Sequence, residues 1–253
     1  MRADLGACGM NEQLLLENIR GVLNRLEETI LFALIERAQF RVNSVIYKPG
    51  ALGEALGGES LSGYLLHETE KLHARMRRYT SPDEHPFYDD LPAPILPGLR
   101  YDENPLRPNN VNINSEIRTA YEEEIVPLIC HEGDDQQYGS SAVCDTNCLQ
   151  SISRRVHFGK FVAESKYRSN PSSFRPLIAR GDARAIEAAI TDADVERNVL
   201  DRVERKARTY LQEVQHGGAG RIEPAAARLI YSKWIIPLNK KVQVLYLLQR
   251  GTA

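Results

Sequence analysis

The chain has 253 residues and 28.5 kDa, with 32 Lys+Arg against 34 Asp+Glu and a formal net charge of −2. That length is ample for a sizeable core and excludes a disulfide- or metal-stapled miniprotein. The balanced charge gives no global attraction to nucleic acid or an anionic membrane, so neither is expected as a partner, and any anion site must be a local cluster. At 42% hydrophobic and 26% charged the composition is that of an ordinary globular domain.

Met1–Met10 lacks the apolar core of about 7–15 residues that a secretory signal needs, and is expected to be disordered. Cytoplasm is the expected location, or a plastid if a targeting segment once preceded Met1. The longest apolar stretches, Ile30–Ile35 and Val244–Leu248, fall far short of the ~18–20 residues of a membrane span. Cys8, Cys130, Cys144 and Cys148 include no C-x-x-C pair, so reduced thiols rather than a disulfide or metal site are expected.

From Asn11 to about Phe40 the apolar residues Leu15, Ile19, Val22, Leu23, Leu26, Ile30 and Leu34 recur at helical steps. A second helix runs from about Ser60 and ends before Ser81-Pro82. Seven of the 13 prolines lie between Pro82 and Pro108, which makes residues 80–112 an extended connection. Helical spacing resumes over Ile113–Ile129, and His131–Ser141 reads as a loop. Asp145 can cap a helix reaching about Lys166. Further helices are predicted at Ser173–Arg180, Ala183–Ile190, and Asp194–Gln212 with Asp192 or Asp194 at its start. Gly217–Gly220 is a flexible break. A last helix runs from Pro224 to about Gln249 with a kink at Pro237. With no convincing strand pattern and no internal repeat, residues 1–253 read as one all-α domain, a bundle of long helices whose sites are built from polar side chains on inward faces.

The most informative segment is CLQSISRRVHFGKFVAESKYR, Cys148–Arg168. Arg155 and Lys166 are 11 residues apart and share one face of a continuous helix, with Cα atoms about 16 Å apart. Gly159 between them costs about 0.5–1 kcal/mol relative to Ala inside a helix, which suggests a backbone that must leave room. Two cations flanking small and apolar residues can grip the ends of a compact dianion; a solvated basic face has the same spacing. Two i,i+4 pairs, Asn239/Gln243 and Asp192/Glu196, add polar groups at helical spacing. Gln243 lies within the apolar run Val242–Leu248 and reads either as a buried amide or as an exposed position. Arg20 interrupts the apolar stripe of the first helix, where a snorkelling surface Arg is the alternative to a functional one.

Four blocks carry a resemblance: NIRGVLNRLEETILFALIERAQF, SPDEHPFY, GDDQQYGSSAVCDTNCLQSISRRVHFGKFVAESKY and IIPLNKKVQVLYLLQR. In order and spacing, from about Leu14 to Arg250, they resemble the all-helical chorismate mutases of fungi and plants. The Gln at 243 in a VQV context and the AVCD segment resemble the plant branch. The resemblance implies a homodimer with each active site inside a four-helix bundle. It implies conversion of chorismate to prephenate on the shikimate route to Phe and Tyr. It also implies that Arg20 and Arg155 grip the two carboxylates, Lys166 contacts the ether oxygen and Glu196 binds the substrate hydroxyl. Gln243 stands where the fungal pattern has a catalytic Glu. Asp192 stands in place of an Asn and Asn239 in place of a Thr, as supporting contacts.

A rearrangement within one molecule calls for no nucleophile, proton relay, metal or cofactor, so none is expected. The resemblance further implies an effector site for Tyr or Trp at the dimer interface, with a loop at 131–144, falling on Arg77, Arg78, Gly139 and Ser140. Val143 departs from a fungal Thr there, and a purely structural interface loop is the alternative. A metal-dependent prenyl-diphosphate enzyme is disfavoured, because Asp89-Asp90 sits in the Pro-rich segment and Asp134-Asp135 lacks a third carboxylate at helical spacing. A noncatalytic helical scaffold or interaction protein derived from the same fold is the remaining alternative.

Overall fold

The computed structural model describes residues 14–98, 104–213 and 222–250; Met1–Met10, Cys8 and the Gly217–Gly220 break lie outside them. Among the described residues every regular element is helical. Helix α1 (Leu16–Arg37) buries Ile19, Leu26, Ile30, Leu31 and Leu34 along its predicted stripe. Its last residue, Arg37, folds back to donate to the Arg41 and Val42 carbonyls (3.0 Å each) and to Asp145 (2.7 Å). A buried Arg in the final turn thus closes the helix end. Helix α2 (Leu61–Arg75) begins where predicted, with the Ser60 hydroxyl accepting from the Gly63 amide at 3.1 Å.

The Pro-rich segment is pinned rather than loose. Glu70 of α2 accepts from the Phe87 and Tyr88 amides at 2.8 and 3.2 Å, and Asp83 pairs with Arg154 at 2.7 Å.

Helix α3 (Asn114–Ala120) passes through a π turn (Tyr121–Ile125) into α4 (Val126–Ile129). Helix α5 (Tyr138–His157) follows, then α6 (Gly159–Ser169), α7 (Pro171–Ala179), α8 (Ala183–Ile190) and α9 (Ala193–Glu213). Helix α10 (Pro224–Ile230) leads through a second π turn (Tyr231–Ile235) into α11 (Ile236–Arg250). The kink predicted at Pro237 is this second π turn, and Pro127 follows the first in the same way. A proline ring clashes with the carbonyl four residues back; here those carbonyls belong to Glu123 and Lys233, inside the widened turns that relieve the clash.

Two expectations are corrected. Asp145 does not cap a helix: α5 starts seven residues earlier, where Asp135 accepts from the Gln137 amide at 3.0 Å, so the loop ends at Gln137. Asp145 is instead fully buried, held by Arg37, by the Tyr121 hydroxyl and by the Tyr47 hydroxyl (2.8 Å each for the tyrosines). Nor is there one helix from Asp145 to Lys166, because the ladder is interrupted at Phe158. Arg155 and Lys166 therefore sit on either side of a junction. Four rods remain around the core: α1, α5 with α6, α9, and α10 with α11. The α5–α6 rod packs against both α1 and α11, and α9 against α10 and α1. Cys130, Cys144 and Cys148 are free thiols, and no described helix is long and apolar enough to cross a membrane.

Candidate active site

Each rod contributes to one polar cluster inside this frame. Arg155 comes from the last turn of α5 and is only 5% exposed. Among the described residues no carboxylate lies within ion-pair distance of it, and its Nε, shut off from solvent, has no acceptor. Burial pushes the guanidinium below its ordinary range, opposed by the nearby Tyr231 and Glu27 and reinforced by Arg202. Arginine remains charged at any physiological pH, so α5 holds an uncompensated cation where a desolvated one is costly. Such a group is matched to an incoming anion.

The nearest carboxylate on α1, Glu27, is already taken. Arg202 of α9 grips it through two bonds of 2.8 and 2.7 Å, and Lys206 stands 3.7 Å away. Arg20 lies seven residues, two turns and about 10 Å, N-terminal to Glu27 on the same stripe of α1. It is exposed and forms no ion pair among the described residues.

Lys166 of α6 donates to the Ile190 carbonyl at the end of α8. Burial pushes its ammonium down, Asp192 and Glu196 hold it up, and Lys240 adds repulsion. Glu196 in the first turn of α9 pairs with Lys240 of α11 at 3.1 Å. Asp192 serves that helix as its cap, accepting from the Asp194 and Val195 amides at 3.1 Å each.

Gln243 and Asn239 project from α11 into the α5–α6 junction, both buried. Asn239 donates through Nδ2 to the carbonyls of Arg155 (3.2 Å) and Val156 (2.9 Å), and its Oδ1 accepts from Gln243 Nε2 at 2.9 Å. Gln243 Oε1 is buried without a partner. Gly159 leaves room for α11: a Cβ there would sit 2.8 Å from the Asn239 carbonyl oxygen and 2.9 Å from Nδ2.

Arg155, Asn239 and Gln243 thus meet at the α5–α6 junction, and Lys166, Asp192 and Glu196 lie together beside Lys240 of the same helix α11, while no contact among the described residues brings Arg20 to either group. Sequence reasoning missed Tyr231, Glu27, Arg202 and Lys240. Tyr231 sits at the head of the second π turn, fully buried, with its hydroxyl unpartnered and close enough to Arg155 to feel its charge. A Glu inside the apolar stripe of α1, and a Lys three residues before Gln243, were the available signals.

The expected effector residues are not brought together within one chain. Arg78 is held by Glu84 (3.0 Å) and Gln150 (2.7 Å), ten residues or about 15 Å along α5 from Ser140. Arg77 donates to the Pro97 carbonyl, and Gly139 and Ser140 lie exposed in the first turn of α5. Among the described residues no group of three or more His, Cys, Asp or Glu is arranged to hold a metal ion.

Known proteins resemble this chain over nearly its whole length. A family model described as chorismate mutase type II matches residues 137–244, which include Arg155, Lys166, Asp192, Glu196, Asn239 and Gln243 but neither Arg20 nor Glu27. A chorismate mutase of Schizosaccharomyces pombe is 50% identical over 248 residues, covering 95% of this chain and 98% of that protein. The crystal structure of the Aro7p chorismate mutase of Candida albicans in complex with L-Trp superposes with a TM-score of 0.89 at 40% identity, covering 95% of this chain and 93% of the other. A structure of AtCM1 with tyrosine in an allosteric site gives 0.84 at 43% identity, covering 94% and 97%. The plant-like Gln243 therefore sits in a chain that shares half its residues with a fungal enzyme. On fold, identity and near-complete coverage alike, this chain belongs to the chorismate mutase type II family, an isomerase family.

Proposed function

We propose that Arg20, Arg155, Lys166, Glu196 and Gln243 carry the conversion of chorismate to prephenate that membership of the family brings to this chain. The observation that carries the reading is Arg155: a buried guanidinium with an unpartnered Nε and, among the described residues, no carboxylate within ion-pair distance. The substrate is a dianion that breaks a C–O bond and forms a C–C bond within itself. Arg155 and Arg20 hold its two carboxylates in the compact geometry, which removes rotational freedom before reaction. Lys166 and the Gln243 amide donate to the ether oxygen as negative charge grows there; one such donor contributes about 2.7–4 kcal/mol in comparable oxyanion sites. Glu196, oriented by Lys240, accepts from the substrate hydroxyl. Asp192 supports the site indirectly, by starting α9 and by keeping Lys166 charged.

The test is the loss of chorismate absorbance on adding purified protein in EDTA. Turnover in the intact chain that vanishes in Arg155→Ala is expected. Full activity in the variant would overturn the reading.

We propose further that the enzyme is a homodimer responsive to Tyr or Trp. The effector-bound relatives support this, as does the separation of Arg78 from Ser140 within one protomer, which leaves their meeting to a second copy. Leu72, Met76, Ile95, Leu96 and Val143 are large, exposed apolar side chains suited to such an interface. A monomer in sedimentation at micromolar concentration would exclude the dimer.

A further inference from the structure

We propose that Asn239 is a positioning residue that sets which way the Gln243 amide faces the substrate. This rests on the reading of Gln243 as a donor to the ether oxygen. The carbonyls of Arg155 and Val156 can only accept, and both lie within reach of one Asn239 nitrogen, at 3.2 and 2.9 Å. Turning the Asn239 amide over would set three oxygens against one another in a buried place, where unpaired acceptors are costly. Its Nδ2 therefore faces the α5 backbone and its Oδ1 faces Gln243.

The same constraint passes one residue further. An oxygen facing Gln243 requires a nitrogen in return, which is the Nε2 contact of 2.9 Å. One Nε2 hydrogen is thereby fixed, the second is left to donate, and Oε1 is turned away into its unpartnered position. The terminal amide torsion of glutamine is otherwise broad and close to two-fold, so without this contact the donor and the acceptor exchange places freely.

With both Nδ2 hydrogens on backbone carbonyls, Asn239 has no N–H left for the substrate. Gly159 makes the arrangement possible, because any Cβ would push against both the backbone and the amide of Asn239. A polarity set by two backbone carbonyls of α5 is thus delivered to a side chain on α11.

The test is a double-mutant cycle read in kcat and KM, using Asn239→Thr, Asn239→Val and Gln243→Leu, with melting curves to show that each variant is folded. Thr and Val have nearly the same shape, but only the Thr hydroxyl can donate to a carbonyl while accepting from Nε2. Asn239→Val is expected to lower kcat about tenfold or more with KM within about threefold, and Asn239→Thr to stay within about threefold in kcat. In the Gln243→Leu background Asn239→Val is expected to lower kcat by less than about twofold.

Equal kcat losses in both backgrounds, a loss confined to KM, or a Thr variant as poor as Val would each overturn the positioning role alone. Unchanged kcat in Gln243→Leu would overturn it together with the assignment of Gln243. Should the Val variant melt below the assay temperature, Asn239→Ala takes its place in the same cycle.

Discussion

Arg155 is a residue whose stability and function are in opposition. A buried guanidinium without an ion-pair partner destabilises the free enzyme, and in the proposed role the same lack of compensation attracts a substrate carboxylate. Arg155→Met, of similar length and apolar, is therefore expected to abolish turnover while leaving the melting temperature unchanged or raising it; a marked fall in melting temperature in calorimetry would contradict this. Gln243 makes a second prediction at this scale. An amide donates at every pH, so kcat is expected to stay nearly flat between about pH 5 and 8. Gln243→Glu can donate only when protonated, and its activity is expected to fall as pH rises across that range. Neither residue's state was readable from its neighbours in the chain. Arg155 follows Arg154, which pairs with Asp83 on the outside, and only the packed helix tells the two apart.

At the scale of the element, the junctions matter more than the helices. Gly159 marks the closest approach of α11 to the α5–α6 rod, and Gly159→Ala is expected to cost about 1–3 kcal/mol by overpacking. The loss is measurable as a lower denaturant midpoint together with reduced kcat. Asp145 joins α5 to the end of α1 through Arg37 and receives two tyrosine hydroxyls. Asp145→Ala strands a fully buried arginine and is expected to destabilise by about 3–5 kcal/mol, read in the same unfolding experiment. Helix existence and most boundaries were legible, because apolar spacing, Ser60, Asp192 and the prolines act locally. The start of α5 was not, since Asp145 looks like a cap in sequence and is an interior ion-pair partner in space. The π turns were likewise hidden, although a buried Tyr six residues before a Pro, Tyr121 with Pro127 and Tyr231 with Pro237, is their shared mark.

For the whole molecule, buried titratable groups outside the site set the response to pH. Burial pushes Glu70 up to about 7, above its ordinary 4.5. The native state holds that proton more tightly than the unfolded chain, so this contribution to stability is present below about pH 4.5 and is lost as pH rises through about 7. Burial pushes His157 down to about 4 and His85 to about 2, the second also by charge repulsion from His157, whose ring lies 4.3 Å away, and from Lys160. Their contribution has the opposite sign: it is present above about pH 6.5 and is lost as pH falls from there. Glu70→Gln keeps an acceptor for the Phe87 and Tyr88 amides and removes the first effect. It is expected to be more stable relative to the parent at pH 8 than at pH 5, by about 1–3 kcal/mol in paired melts. An equal difference at the two pH values would show that Glu70 does not titrate in this window.

The amino-acid sequence alone determined the all-helical class and, by resemblance, the family and the residues proposed for the site. Helical periodicity is a local property, and the family's motifs preserve residue type at fixed spacing. Only the tertiary structure decided what those groups do to one another. It left Arg155 unpaired by giving Glu27 to Arg202. It made Asn239 an intermediary between the α5 backbone and Gln243, and kept Arg78 away from Ser140 within one chain. Charge compensation and amide orientation depend on which side chains meet across tens or hundreds of residues, and spacing along the chain carries no record of that meeting.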